Sequence, residues 1–138
     1  MKVMLFGSIE LATIPKNVEE HLVKIVEQTG GNVEFLVGDA SGIDSAFHLT
    51  LSRIGAKDKT TLYCMNFPRN NNYDLKTRVI DGGNLAGREL YEVKDKQMAD
   101  DCDFAICVWN GISKGTFNNI NILKARNKSV YVYTVNPY

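Results

Sequence analysis

The stretch VWNGISKGTFNNINILKA, residues 108–125, joins an apolar run to a helix-like pattern through a polar, glycine-flanked turn. Gly111 and Gly115 bracket Ser113 and Lys114, and Thr116 stands where the helix should begin. Amides at a helix start have no intrahelical partner and carry partial positive charge, so such a joint suits a phosphate. Lys114 adds a full charge, the Ser113 and Thr116 hydroxyls add donors, and Asn110 and Gly111 open the same turn. Two further turns have a related composition. FGSIEL carries Gly7, where the backbone can come close to a ligand, and Ser8, with a hydroxyl and an amide. VGDASGID carries Gly38 and Gly42 with the polar groups of Asp39, Ser41 and Asp44. No G-x-G-x-x-G fingerprint, Walker P-loop or G-x-S-x-G elbow is present, which disfavours a standard dinucleotide site, a P-loop and a hydrolase triad.

Other residues bear chemistry more ambiguously. Asp44 and His48 stand four residues apart on one helical face, either as an acid–base dyad or as a helix-start carboxylate beside a packed histidine. His21 lies among glutamates on a helix and is expected to be exposed. No His/Cys pair has metal-ligand spacing, so no metal is expected. Residues 66–88 hold PRNNNYD, DGGN and three arginines, Arg69, Arg78 and Arg88. This segment reads either as a surface excursion or as a lid whose arginines fork onto an anion. Cys64, Cys102 and Cys107 are odd in number and lie in apolar contexts, as buried free thiols of a cytoplasmic protein would.

The elements that must position these turns alternate. Strands are expected at residues 3–6, 33–37, 60–65, 103–109 and 129–134. Helices are expected from Pro15 to Gly30, over 43–54, over 89–101 and over 116–126. Strand–helix alternation implies right-handed crossovers and a Rossmann-like, doubly wound α/β fold. Its five-stranded, mainly parallel sheet should have helices on both faces and the order 3-2-1-4-5. In such a sheet the three glycine turns share the carboxyl edge, where ligands bind.

The bulk composition narrows the classes. A chain of 138 residues fits a single domain over 1–138, and 44% hydrophobic with 23% charged residues is ordinary for a globular protein. Lys+Arg and Asp+Glu both number 16, so a broad electrostatic grip on nucleic acid is not expected. No apolar run approaches the roughly 20 residues of a membrane span, and the N-terminus reads as a first strand instead of a signal peptide.

GDASGIDSAFHLTL resembles the turn and helix G-x-A-R-G-I-D-x-x-A-H-x-x-A-L of DNA-processing protein A, with Gly42, Ile43, Asp44 and His48 at matching places. The second half is similar to small bacterial and phage proteins of the SLOG superfamily, which joins that domain with the LOG nucleotide hydrolases. These carry M-x-x-x-A-D-x-x-I-x-x-W-D-G-x-S-x-G-T-x-x-x-I-x-x-A, matched by Met98, Asp103, Trp109, Gly111, Ser113, Gly115, Thr116 and Ile120. The resemblance covers nearly the whole chain. It implies a Rossmann-like fold and a nucleotide or nucleotide-derived ligand at the glycine turns. LOG hydrolases read P-G-G-x-G-T-x-x-E, and the glutamate serves catalysis; Asn119 stands there in this chain. An amide is no general base, so the resemblance implies binding without LOG-type cleavage unless Asp39, Asp44 or Glu89 substitutes. Nucleoside deoxyribosyltransferases are a looser resemblance, and Glu89 would serve as their carboxylate nucleophile.

Three functions are thus in competition. The first is a nucleotide-binding module with no resident cofactor. The second is an enzyme acting on an N-glycosidic bond. The third is a nucleic-acid-associated protein, which would need Lys57, Lys59, Arg69, Lys76 and Arg78 to gather on one face. Apolar helix faces in this fold are compatible with a homodimer.

Overall fold

A computed structural model describes residues 1–69 and 74–136. The chain runs β1 (Lys2–Gly7), α1 (Lys16–Gln28), β2 (Glu34–Val37), α2 (Ile43–Arg53), β3 (Thr60–Met65), β4 (Lys76–Ile80), α3 (Gly87–Asp101), β5 (Phe104–Trp109), α4 (Lys114–Ala125) and β6 (Ser129–Thr134). The six strands form one sheet in the order β4-β3-β2-β1-β5-β6, and every neighbouring pair is parallel.

The expected order is present in β3-β2-β1-β5-β6, and β4 is the addition. It lies inside the segment read as an excursion or lid, so that reading is corrected over Lys76–Ile80. Its sequence, KTRVI, lacks an apolar run, and the edge strand it forms is half-covered and mostly exposed. Its pairing with β3 runs from Thr61 opposite Lys76 to Met65 opposite Ile80. The central part of that segment, residues 70–73, lies outside the described residues.

Parallel strands covered on both faces must be apolar on alternate residues in both directions. In β1, Val3 and Leu5 join one core with Val18, Leu22 and Ile25 of α1 and Phe47 and Leu51 of α2. Met4 and Phe6 join the other core with Met98 and Ala99 of α3 and Ile120 and Leu123 of α4. Helices α1 and α2 therefore cover one face and α3 and α4 the other. Strands β2, β3 and β4 are laid down successively to one side of β1, and β5 and β6 to the other. The order reverses at β1 and β5, and this switch point opens a crevice at the carboxyl edge. All three cysteines are buried free thiols, and burial pushes Cys107 up to about 12. Among the described residues no helix is long and apolar enough to cross a membrane.

Candidate functional site

Turn chemistry builds the crevice. Beyond β5, Asn110 Oδ1 accepts the N–H groups of Ile112 and Ser113, both at 2.9 Å, and closes a tight turn. Gly111 takes φ +81°, a conformation that favours glycine. The Trp109 indole donates to the Ser113 carbonyl at 3.1 Å. The turn delivers the chain into α4 at Lys114, two residues earlier than the sequence pattern indicated, so Lys114 and Gly115 belong to the first turn of the helix. Ser113 is the N-cap residue but makes no side-chain cap bond, and its hydroxyl meets that of Thr116 at 3.2 Å. The first turn contains no acidic residue. Thr116 is buried, whereas Lys114 and Gly115 are exposed.

This helix start faces a cavity of about 280 Å³. Its walls come from Gly7 of β1, Gly38 and Asp44 from the turn after β2 and the start of α2, and Ser113, Lys114, Gly115 and Thr116. The three glycine turns thus converge as expected, but not with every residue named for them. Ser8 is buried outside the cavity, and its hydroxyl accepts the Asn110 N–H at 3.1 Å. It ties the turn after β1 to the turn after β5. Asn110 and Gly111 shape the turn and do not line the space, and Ser41 is exposed away from it. Gly42, at φ +75°, has no room for a side chain, since a Cβ there would overlap the Ile9 backbone.

The fourth wall is α3, and it was missed. Tyr91, Lys94, Asp95 and Met98 line the cavity at helical spacing i, i+3, i+4, i+7. Lysine and aspartate on the stripe that should have been apolar were the available signal. Glu89, the residue named on this helix, is exposed and lies off that stripe, as does Arg88.

Behind the wall lies a charge network centred on Asp39, which does not itself line the cavity. Asp39 is 1% exposed and accepts three bonds from Arg69: the backbone N–H at 2.7 Å, Nε at 3.1 Å and Nη2 at 2.9 Å. Lys94, itself buried, stands 3.6 Å from Asp39 and 3.7 Å from Asp95. Burial alone would push the Asp39 carboxyl up, but the Arg69 hydrogen bonds and the Lys94 charge outweigh it and hold it below its ordinary value. Asp44 behaves oppositely. Burial dominates there and lifts its carboxyl to about 6, against the pull of Lys94 and of the Ala40 N–H at 3.1 Å. Burial likewise raises Asp95, opposed first by Lys94 and then by a hydrogen bond from Asn119. Gly38 is required in this network, since a Cβ would overlap the Asp44 carboxylate and Lys94 Nζ.

No family model and no curated protein matches this chain.

The remaining candidates fall elsewhere. His48 is packed: its Nε2–H donates to the Gly38 carbonyl at 2.8 Å and fixes the turn after β2. His21 is half-buried instead of exposed, its Nδ1 2.8 Å from the Tyr133 hydroxyl, and burial lowers its pKa. Arg69 lines the cavity, but Arg78 does not; it pairs with Asp101 and donates to the Tyr63 hydroxyl at 3.2 Å. The five basic residues named above do not form an unmixed face. Arg69 and Arg78 are held by carboxylates, and Lys57 and Lys76 share a shallow depression with Asp58 and Asp74. Among the described residues no three His, Cys, Asp or Glu side chains gather as a metal would require.

Chemically, the lining combines positive groups with acceptors. Lys114 and the first-turn amides of α4 join Arg69 and Lys94 as the positive groups. Glu10, Asp44, Asp95 and the buried carbonyl oxygen of Asn119, which meets no donor among the described residues, supply the acceptors.

Proposed function

We propose that this protein binds a nucleotide or nucleotide-derived small molecule that carries a single phosphate. The observation that carries the reading is the start of α4, which has neither acidic residue nor side-chain cap and opens into the crevice at the sheet's switch point. Unpaired amides, the helix dipole and Lys114 together stabilise an anion there. Size and charge narrow the ligand. A cavity of about 280 Å³ falls just below the usual range for ligand sites, roughly 300–1,000 Å³, so the ligand is small. The remaining walls carry Glu10, Asp44 and Asp95, and their cations Lys94 and Arg69 are already paired with Asp39 and Asp95, so they offer further phosphates little net attraction. The same carboxylates and the Asn119 carbonyl accept hydrogen bonds, which suits sugar hydroxyls. The SLOG resemblance agrees in placing a nucleotide-derived ligand at these turns. Calorimetric titration with nucleoside monophosphates, beside mass spectrometry of small molecules released from the purified protein, tests the proposal. Binding of a monophosphate in preference to its triphosphate is expected; equal indifference to both would end it.

A second reading has a specific observation in its favour. Asp44 and Asp95 both line the cavity, burial raises the proton affinity of each, and a carboxyl whose pKa is raised toward neutrality can act as a general acid. Cleavage of an N-glycosidic bond would then use these residues in place of the glutamate that Asn119 replaces. Release of free base from a nucleoside monophosphate, abolished by Asp95→Asn, would establish it. An intact ligand after prolonged incubation would leave binding alone.

A further inference from the structure

Arg69 was expected to fork onto an anion, but its surroundings give it different work. Its guanidinium carbon lies 3.8 Å from the centroid of the Tyr91 ring, a stacked contact. Its edge is held at the same time, because Nε and Nη2 both donate to Asp39 Oδ1 and its backbone N–H donates to Oδ2. Three bonds to one buried carboxylate fix the plane of the fork, and Asp39 also cancels its charge. Arg69 therefore adds little net attraction for a phosphate, whereas exposed Lys114 and the start of α4 add a great deal. What the fixed guanidinium retains is a flat, weakly hydrated surface. Arg69 and Tyr91 line the same cavity as residues 113–116.

We infer that the Arg69–Tyr91 layer is a stacking platform for a planar aromatic ring, and that it sets the protein's preference for a ligand bearing a base. This rests on the phosphate reading of α4 and deepens it by giving the ligand two ends. The phosphate sits at the helix start, the acceptors of the lining take the sugar, and the base lies against Arg69 and Tyr91. Such planes stack on bases with little regard to sequence, because every base has a π-face. Here the arginine is already ordered by Asp39, so binding immobilises no long side chain.

The test compares AMP with ribose 5-phosphate, which keeps sugar and phosphate and lacks the base. Calorimetry on the wild-type protein should give AMP an affinity at least about tenfold higher, within the range of one base–aromatic stack. Tyr91→Ala should bring that ratio close to one by weakening AMP alone, while Tyr91→Phe, which keeps the ring, should preserve it. Arg69→Lys keeps the charge and loses the plane, so it too should lower the ratio. Thermal melts confirm that each variant is folded. If the wild type binds both ligands equally, or if Arg69→Lys and Tyr91→Ala weaken both ligands by the same factor, the platform is overturned and the phosphate reading stands. If the wild type binds neither ligand, the phosphate reading fails and the platform with it.

Discussion

Two helices of this protein begin at the same edge of the sheet, and they begin differently. The start of α2 is filled from within. Asp44 in its first turn is buried, accepts the Ala40 N–H at 3.1 Å and lies against Lys94 and Gly38. Gly42 before it, at φ +75°, has no room for a Cβ beside the Ile9 backbone. The start of α4 has Lys114 in place of an acid, an exposed Gly115 with nothing within 4 Å of where its Cβ would stand, and no cap bond from Ser113. Both termini have the same unpaired amides and the same dipole. Neither has a side-chain cap bond, but α2 donates its Ile43 N–H to the Ser8 carbonyl at 3.3 Å and sets the buried Asp44 carboxylate beside its dipole, so it serves as a structural joint. The other is left able to take an anion from outside, which is why the phosphate is assigned to α4 and not to the glycine turn before α2.

The largest effect should come from breaking the α2 joint. Gly42→Ala places a methyl group in the Ile9 backbone and forces a non-glycine residue to positive φ. The conformational cost alone is roughly 1–2 kcal/mol, and relieving the overlap must move backbone. A loss of at least about 3 kcal/mol is expected, read as a lowered denaturation midpoint at unchanged slope. A variant as stable as wild type would show that the two starts do not differ in the way described.

Asp44→Asn sharpens the comparison through pH. The folded carboxyl holds its proton up to about 6, whereas an unfolded one releases it near 3.9. Between these values the folded protein binds more protons, so this group's contribution to stability is present at low pH and is lost as pH rises through about 6. Asp95 has the same sign, and His21, whose pKa is lowered, the opposite one. Subtracting the variant's curve from the wild type's removes the His21 part and leaves Asp44 together with Asp95, the carboxyl coupled to it. Relative to wild type, Asp44→Asn should gain about 2 kcal/mol in going from pH 4.5 to pH 8. Parallel curves would mean that Lys94 and the helix dipole, not burial, govern this carboxyl.

The contrast between the two starts also shows what a sequence conveys. Strand–helix alternation was legible, since a parallel sheet buried on both faces writes itself as apolar runs such as FAICVW and TTLYCM. β4 was illegible because KTRVI is short, mostly exposed and interrupted by Lys76 and Arg78, whereas the other edge strand, β6, keeps the β-branched and aromatic run SVYVYT. The turns were legible as glycine-bearing joints, but not which polar groups face inward. Ser8 and Asn110 had the right chemistry and are spent on holding turns together. Lys94 and Asp95 line the site unannounced, because the local period gives the stripe and only the tertiary fold tells what the stripe faces. Arg69 and Asp39 are 30 residues apart, and no local pattern announces such a pair.

Thr116→Val should act on affinity more than on folding. Thr116 is buried and among the described residues its hydroxyl meets that of Ser113, so an isosteric valine removes a donor while retaining the volume. A hydrogen bond to a charged phosphate contributes about 1.5–3 kcal/mol, so binding of a nucleoside monophosphate should weaken by about tenfold or more. Calorimetry beside a thermal melt separates the two quantities. Unchanged affinity with a lowered melting point would return Thr116 to a purely structural role.

The smallest effect on the fold should come from Gly115, and it bears most directly on the contrast with Gly42. A Cβ at Gly115 meets nothing within 4 Å, and the residue sits in the first turn of α4 with an ordinary helical backbone. Glycine inside a helix costs roughly 0.5–1 kcal/mol relative to alanine, so Gly115→Ala should leave stability unchanged or raise it by up to that amount. The space in front of it is cavity, not protein. Lengthening the side chain to valine therefore intrudes on a ligand and on no protein atom. Gly115→Val should melt within a few degrees of wild type and bind a nucleoside monophosphate more weakly than Thr116→Val does. If both Gly115 variants bind as the wild type does, the cavity in front of α4 is not where the phosphate lies, and the two helix starts differ only in how each is closed.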